Sequence, residues 1–165
     1  MRTMQKNSLF QKVVNYTFSM FAGIFVVGSV SAQALNLDQN GVAIQGHDPV
    51  AFFTMKKPVK GKASLSTKSG GAIYYFSSEE HKMAFEAEPA KYIPQFGGYC
   101  AYGVSKGDLV KIEVDAFQIV DGRLLLQYNK KVRETFNKDQ KGFLKKADAN
   151  WPSVSKKKPT GFFGF

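Results

Sequence analysis

Apolar and polar positions along this chain alternate over short stretches, so the pattern predicts many short elements and one long helix. Thr17 to Val30 is uncharged and rich in Phe, Val, Gly and Ala. Arg2, Lys6 and Lys12 precede it, and Val30-Ser31-Ala32 and Ala32-Gln33-Ala34 follow. A basic start, an apolar middle and a small-residue end read as a secretory signal peptide over residues 1–34, cut after Ala34. The alternative is an uncleaved anchor, which normally needs about 20 apolar residues.

Beyond that segment, Asp48-Pro49-Val50-Ala51-Phe52-Phe53 places a capping aspartate and a first-turn proline before apolar residues, which predicts a short helix. Lys56 to Gly71 reads as a Lys/Gly/Ser-rich loop, and Ala72 to Phe76 as a strand. Ser77 with Glu80 makes a capping box that opens a helix, and Pro89 closes it. His81, Ala84 and Phe85 share one face of this helix, so His81 is expected to point inward. Gln95 to Gly103 sets two glycines among aromatics, predicting a close backbone approach around Cys100. Val110 to Val114 reads as a strand, and Asp121-Gly122 joins Phe117–Val120 to Arg123–Tyr128 as a hairpin. Asn129 to Ala149 reads as one helix with a stripe of Val132, Phe136, Phe143 and Ala147, weakened at Gly142. No internal repeat is visible in the sequence.

These elements predict an α+β fold: a small single domain, residues 35–154, with short β-strands and a β-hairpin packed against short helices and a C-terminal helix. A basic and aromatic tail, residues 155–165, follows it. Fifteen Phe and seven Tyr are enough for a real core in a chain of 165 residues. The 23 basic and 13 acidic residues give +10, and losing Arg2, Lys6 and Lys12 with the leader leaves +7. The basic face of the last helix and Lys156-Lys157-Lys158 read as a solvated surface, with a membrane surface or an acidic partner as the alternative.

Several function classes drop out. Export makes nucleic acid an improbable partner, and no nucleotide-binding or Gly-x-Ser-x-Gly pattern is present. No nucleotide or flavin is expected. Carboxylates are scattered, which removes support for glycoside hydrolysis. The single cysteine excludes an intramolecular disulfide and a Cys-only metal cluster within one chain. In a periplasmic or secreted protein, Cys100 is therefore buried and inert, bonded to another molecule, bound to metal, or redox active.

The motifs Gly46-His47-Asp48-Pro49-Val50-Ala51-Phe52-Phe53, Tyr75-Phe76-Ser77-Ser78-Glu79 and Pro94-Gln95-Phe96-Gly97-Gly98-Tyr99-Cys100-Ala101-Tyr102-Gly103 stand in this order. With Val120-Asp121-Gly122-Arg123-Leu124 and Ala147-Asp148-Ala149-Asn150-Trp151-Pro152, the string resembles a secreted bacterial YHS-domain protein, a family related to TRASH-like metal-binding domains. Metal-binding branches of that family carry cysteines at the positions of Ala51, Ser77 and His81, so the resemblance brings across imidazole at one of three thiolate positions. Members of the secreted branch carry cysteine or selenocysteine at the position of Cys100, which implies chalcogen chemistry there. A tyrosine is common among them at the position of His47.

Three readings follow. In the leading one the protein is a non-enzymatic accessory domain that binds copper or zinc through Cys100, His81 and His47, with a fourth position open. In the second, His81 activates Cys100 as the nucleophile of a thiol-dependent oxidoreductase served by a redox partner protein. In the third, Cys100 only packs and the chain is a partner-binding module.

Overall fold

The computed structural model describes residues 33–159. The chain divides into two units, Met1–Val30 and Ser31–Phe165, and the description concerns the second. The expected signal peptide lies outside the described residues except for Gln33 and Ala34, as does the tail from residue 160. No helix among the described residues is long and apolar enough to cross a membrane.

The fold is α+β. In chain order come α1 (Ala51–Thr54), β1 (Lys62–Ser69), β2 (Ala72–Phe76), α2 (Glu79–Ala87), α3 (Pro89–Tyr92), α4 (Ala101–Ser105), β3 (Glu113–Val120), β4 (Arg123–Gln127), α5 (Lys130–Asn137) and α6 (Gln140–Val154). The strands pair as two separate antiparallel hairpins, β1 with β2 and β3 with β4.

The two halves of this order repeat each other, roughly fifty residues apart, a spacing typical of structural repeats. Each half opens on a 3-10 turn, Ile44–Gly46 or Phe96–Gly98, in which three consecutive residues have positive φ. A short helix follows (α1, α4), then a hairpin with strands of eight and five residues and a register irregularity in the long strand, then a capped helix. Ser78 caps α2 and Asn129 caps α5, each accepting the N–H of the third residue on. Bonds that tie the turn to the hairpin also recur: Ala43 N–H to Ile73 carbonyl and Gln95 N–H to Leu124 carbonyl, both 2.9 Å. Asp48 N–H meets the Val59 carbonyl as Cys100 N–H meets that of Val110. Phe85 and Phe136 are the matching buried anchors of α2 and α5.

This register makes Asp48 the counterpart of Cys100, Phe76 of Gln127, Ser77 of Tyr128, Glu80 of Lys131 and His81 of Val132. Gly71 and Gly122 turn their hairpins at positive φ. Most other matched positions differ in residue type, so the repetition exists in backbone geometry and not in sequence.

Several expectations shift. Residues 62–69 form a strand instead of a loop, because β2 offers a partner to a segment with few apolar side chains of its own. The α2 cap is Ser78; Ser77, one residue earlier, turns its side chain to Asp48. β3 starts at Glu113, so Val110 lies outside it. The single C-terminal helix is two, α5 and α6, because Asp139 takes a non-helical conformation and caps α6 through the Gly142 N–H. Gly142 is thus a site of close approach to the cap, since a Cβ there would strike the Asp139 carboxylate. Ser155 is buried and Lys157 Nζ donates to the Gly107 carbonyl, so the first residues of the tail belong to the packed domain.

β4 stands between two cores. Leu124 and Leu126 join Phe52, Phe76, Phe85 and Cys100, while Leu125 joins Val104, Phe136, Leu144 and Ala147. A strand buried on both faces reads as a continuous apolar run, which explains Leu124-Leu125-Leu126. Arg123 clamps α6 to this strand by a paired contact with Asp148, at 2.6 and 3.0 Å.

Candidate functional site

Asp48 is fully buried, so its carboxylate needs partners for all its lone pairs. The chain supplies them. Oδ1 accepts the N–H groups of Val50 (2.9 Å) and Ala51 (3.3 Å), which starts α1 as the sequence predicts. Oδ2 accepts the N–H (2.9 Å) and hydroxyl (2.6 Å) of Ser77 and the Nδ1–H of His81 (2.6 Å). The His81 ring therefore points inward as expected, with its side chain 18% exposed. Its orientation is fixed by a carboxylate at Nδ1, and Nε2 meets the Thr54 hydroxyl at 3.3 Å.

Cys100 occupies the matching place in the second repeat. It caps the five-residue α4, its sulfur accepting the Gly103 N–H at 3.4 Å. It is 1% exposed, and burial pushes the thiol pKa up, with the N–H groups of Gly103, Tyr128 and Tyr102 pulling weakly the other way. The thiol donates to Gln127 Oε1 (3.3 Å), which also accepts the Tyr102 N–H (3.1 Å). Gln127 is fully buried, and its Nε2 has no hydrogen-bond partner among the described residues.

A groove of about 510 Å³ is lined by Tyr102, Tyr128, Asn129, Lys131, Val132 and Thr135, of which Tyr102 donates its backbone N–H to Gln127 Oε1. Tyr128, Asn129, Lys131 and Val132 are the counterparts of Ser77, Ser78, Glu80 and His81. Where the first repeat sets an imidazole against its buried acceptor, the second has a short valine and an open space. Lys106, above the Tyr102 and Phe143 rings at 5.1 and 5.0 Å, adds positive charge near the Tyr102 wall.

His47 lies apart from both arrangements. Its Nδ1 donates to the Ile44 carbonyl at 3.0 Å, and burial holds its pKa below 6.5. Among the described residues no three His, Cys, Asp or Glu side chains are grouped to hold a metal ion. Cys100, His81 and His47 are thus not assembled into one centre: the histidines serve the first repeat, Cys100 the second, and each is committed to a different partner.

Sequence reasoning weighed Asp48 only as a helix cap and passed over Gln127 and the groove residues. One signal for Gln127 was available, a polar residue closing the apolar run Leu124-Leu125-Leu126. Comparison with family models, with curated proteins and with solved structures returned no match.

Proposed function

We propose that this chain is an exported, non-enzymatic binding module of YHS-like design, whose ligand enters the groove of the second repeat. One observation carries the reading: Val132 stands where His81 stands in the first repeat, and the groove lies at that place. Two tyrosines, an amide, a hydroxyl and an ammonium line it, the mixed apolar and polar surface that small ligands use. The basic, apolar and small-residue order of residues 1–34 supports export. Cys100 acts in this reading as a packed cap of α4. A nucleophilic or metal-binding sulfur is a thiolate, and burial opposes that form here.

The test is a backbone-amide NMR spectrum of the domain titrated with small ring compounds, paired with iodoacetamide treatment. Shifts clustered on Tyr102, Tyr128, Asn129 and Thr135 are expected, with Cys100 unmodified until urea unfolds the chain. Shifts confined to the His81 side, or none, overturn the reading. Rapid native alkylation of Cys100 returns weight to a reactive thiol.

A further inference from the structure

The net charge of the domain is confined to one part of its sequence. Residues 33–128 carry ten basic and ten acidic side chains, which balance, whereas residues 129–159 carry ten basic against three acidic. The excess of +7 therefore belongs to α5, α6 and the residues that follow them. The repeats differ in sign as well: α2 holds Glu79, Glu80 and Glu86 against Lys82, while its counterpart α5 holds Lys130, Lys131 and Arg133 against Glu134.

Packing gathers these cations on a surface. Leu144, Ala147 and Val154 give α6 its buried side, and Lys141 and Lys145, one turn apart, are both exposed. Lys146 has its ammonium 5.7 Å from the centre of the Phe143 ring, and Lys106, which follows α4, approaches the same ring at 5.0 Å. Lys157 donates to the carbonyl of Gly107, the neighbour of Lys106, at 2.7 Å. Cations from the end of α4, from α6 and from the chain after it thus meet along one seam. Carboxylates do not neutralise them. Asp148 is held by Arg123, Asp139 caps α6, and among the described residues no lysine of this surface forms an ion pair. Like charges gathered in this way attract an anionic partner.

Two features choose the partner. Nine of the ten cations in residues 129–159 are Lys, and Arg133 donates to the Phe117 carbonyl. Lysine is a mobile point charge without the fork that reads a single carboxylate, so the array suits a diffuse negative surface. The sequence then runs from Lys156-Lys157-Lys158 to Gly161-Phe162-Phe163-Gly164-Phe165, setting apolar rings beside charge as interfacial segments do. We propose that the α6 side of the domain attaches peripherally to an anionic phospholipid bilayer, its lysines on the headgroups and the tail phenylalanines in the interface. This attachment is independent of any ligand in the groove.

The test is co-sedimentation of Ser31–Phe165, the second compact unit, with vesicles of phosphatidylcholine alone or mixed equally with phosphatidylglycerol. Binding to the mixed vesicles only is expected, weakening as added salt screens the charges. Each lysine removed from the surface is expected to lower the partition about fivefold, so Lys141→Gln with Lys145→Gln lowers it at least about tenfold. The same loss of charge at Lys62 and Lys68, on β1 of the first repeat, is expected to change it less than about twofold. Deleting residues 160–165 is expected to lower it severalfold. Equal binding to the two kinds of vesicle, or equal losses from the two lysine pairs, overturns the attachment. A partition unchanged by the deletion overturns the part given to the phenylalanines. Self-association that the Lys141 and Lys145 changes abolish, without vesicle binding, assigns the surface to a second copy of the chain and overturns the bilayer.

Discussion

Asp48 and Cys100 hold the same place in two copies of one backbone plan, and the chain treats them in opposite ways. Around Asp48 every neighbour is a donor, and five bonds from Val50, Ala51, Ser77 and His81 use the carboxylate fully. Around Cys100 the arrangement is incomplete: a weak thiol donor, a weakly accepting sulfur and an amide with one half unused. A complete polar node fixes one structure, whereas an incomplete one has capacity left for something else. One repeat holds a fully used polar node and its twin a partly used one.

The largest test of this contrast is Asp48→Ala. It strips acceptors from α1, from Ser77 and from His81 at once, and is expected to cost about 3–5 kcal/mol. Urea denaturation measures it, and a loss under about 1 kcal/mol would break the comparison, since it would mean that the donors find other partners. Gln127→Leu is expected to cost only about 1 kcal/mol, because the lost bonds to Cys100 and Tyr102 are offset by removing a buried donor that has no partner. If it costs as much as Asp48→Ala, the amide is satisfied and the contrast fails.

The smallest effect is a pH dependence. Burial depresses the His47 pKa below 6.5, so the folded state holds fewer protons than the unfolded state as the medium acidifies. This contribution is complete above about pH 6.5 and declines as pH falls toward the depressed value. The His47→Gln variant is expected to show a shallower loss of stability just below pH 6.5 than the parent. An equal slope in both would remove His47 from the account.

Much of the first repeat could be read from the chain because its determinants are local. Asp48-Pro49 announces α1, Ala72 to Phe76 carries strand composition, and the period on α2 turns His81 inward. The hairpin at Asp121-Gly122 was equally plain, since a type of turn dictates its residues. What escaped depends on contacts between distant segments. β1 is a strand only because β2 pairs with it, and the identity of His81's partner required a bond across 33 residues. The repetition was hidden for a different reason. Backbone plans tolerate exchange of nearly every side chain, so Phe76 against Gln127 or His81 against Val132 leaves no sequence trace of a shared geometry. Whether Cys100 and the two histidines share a place was hidden on the same point, because chemistry of residue type says nothing about which repeat a side chain serves.

The position of β4 bears on how this doubled plan behaves as a whole. With Leu124 and Leu126 given to one core and Leu125 to the other, neither half can melt without uncovering leucines that the other half needs. Repeats in solenoids share only neighbouring edges and can open one at a time. Here the shared element runs through the middle, so the pair is expected to unfold in one cooperative step, and neither half is a portable module that could be cut out and kept folded.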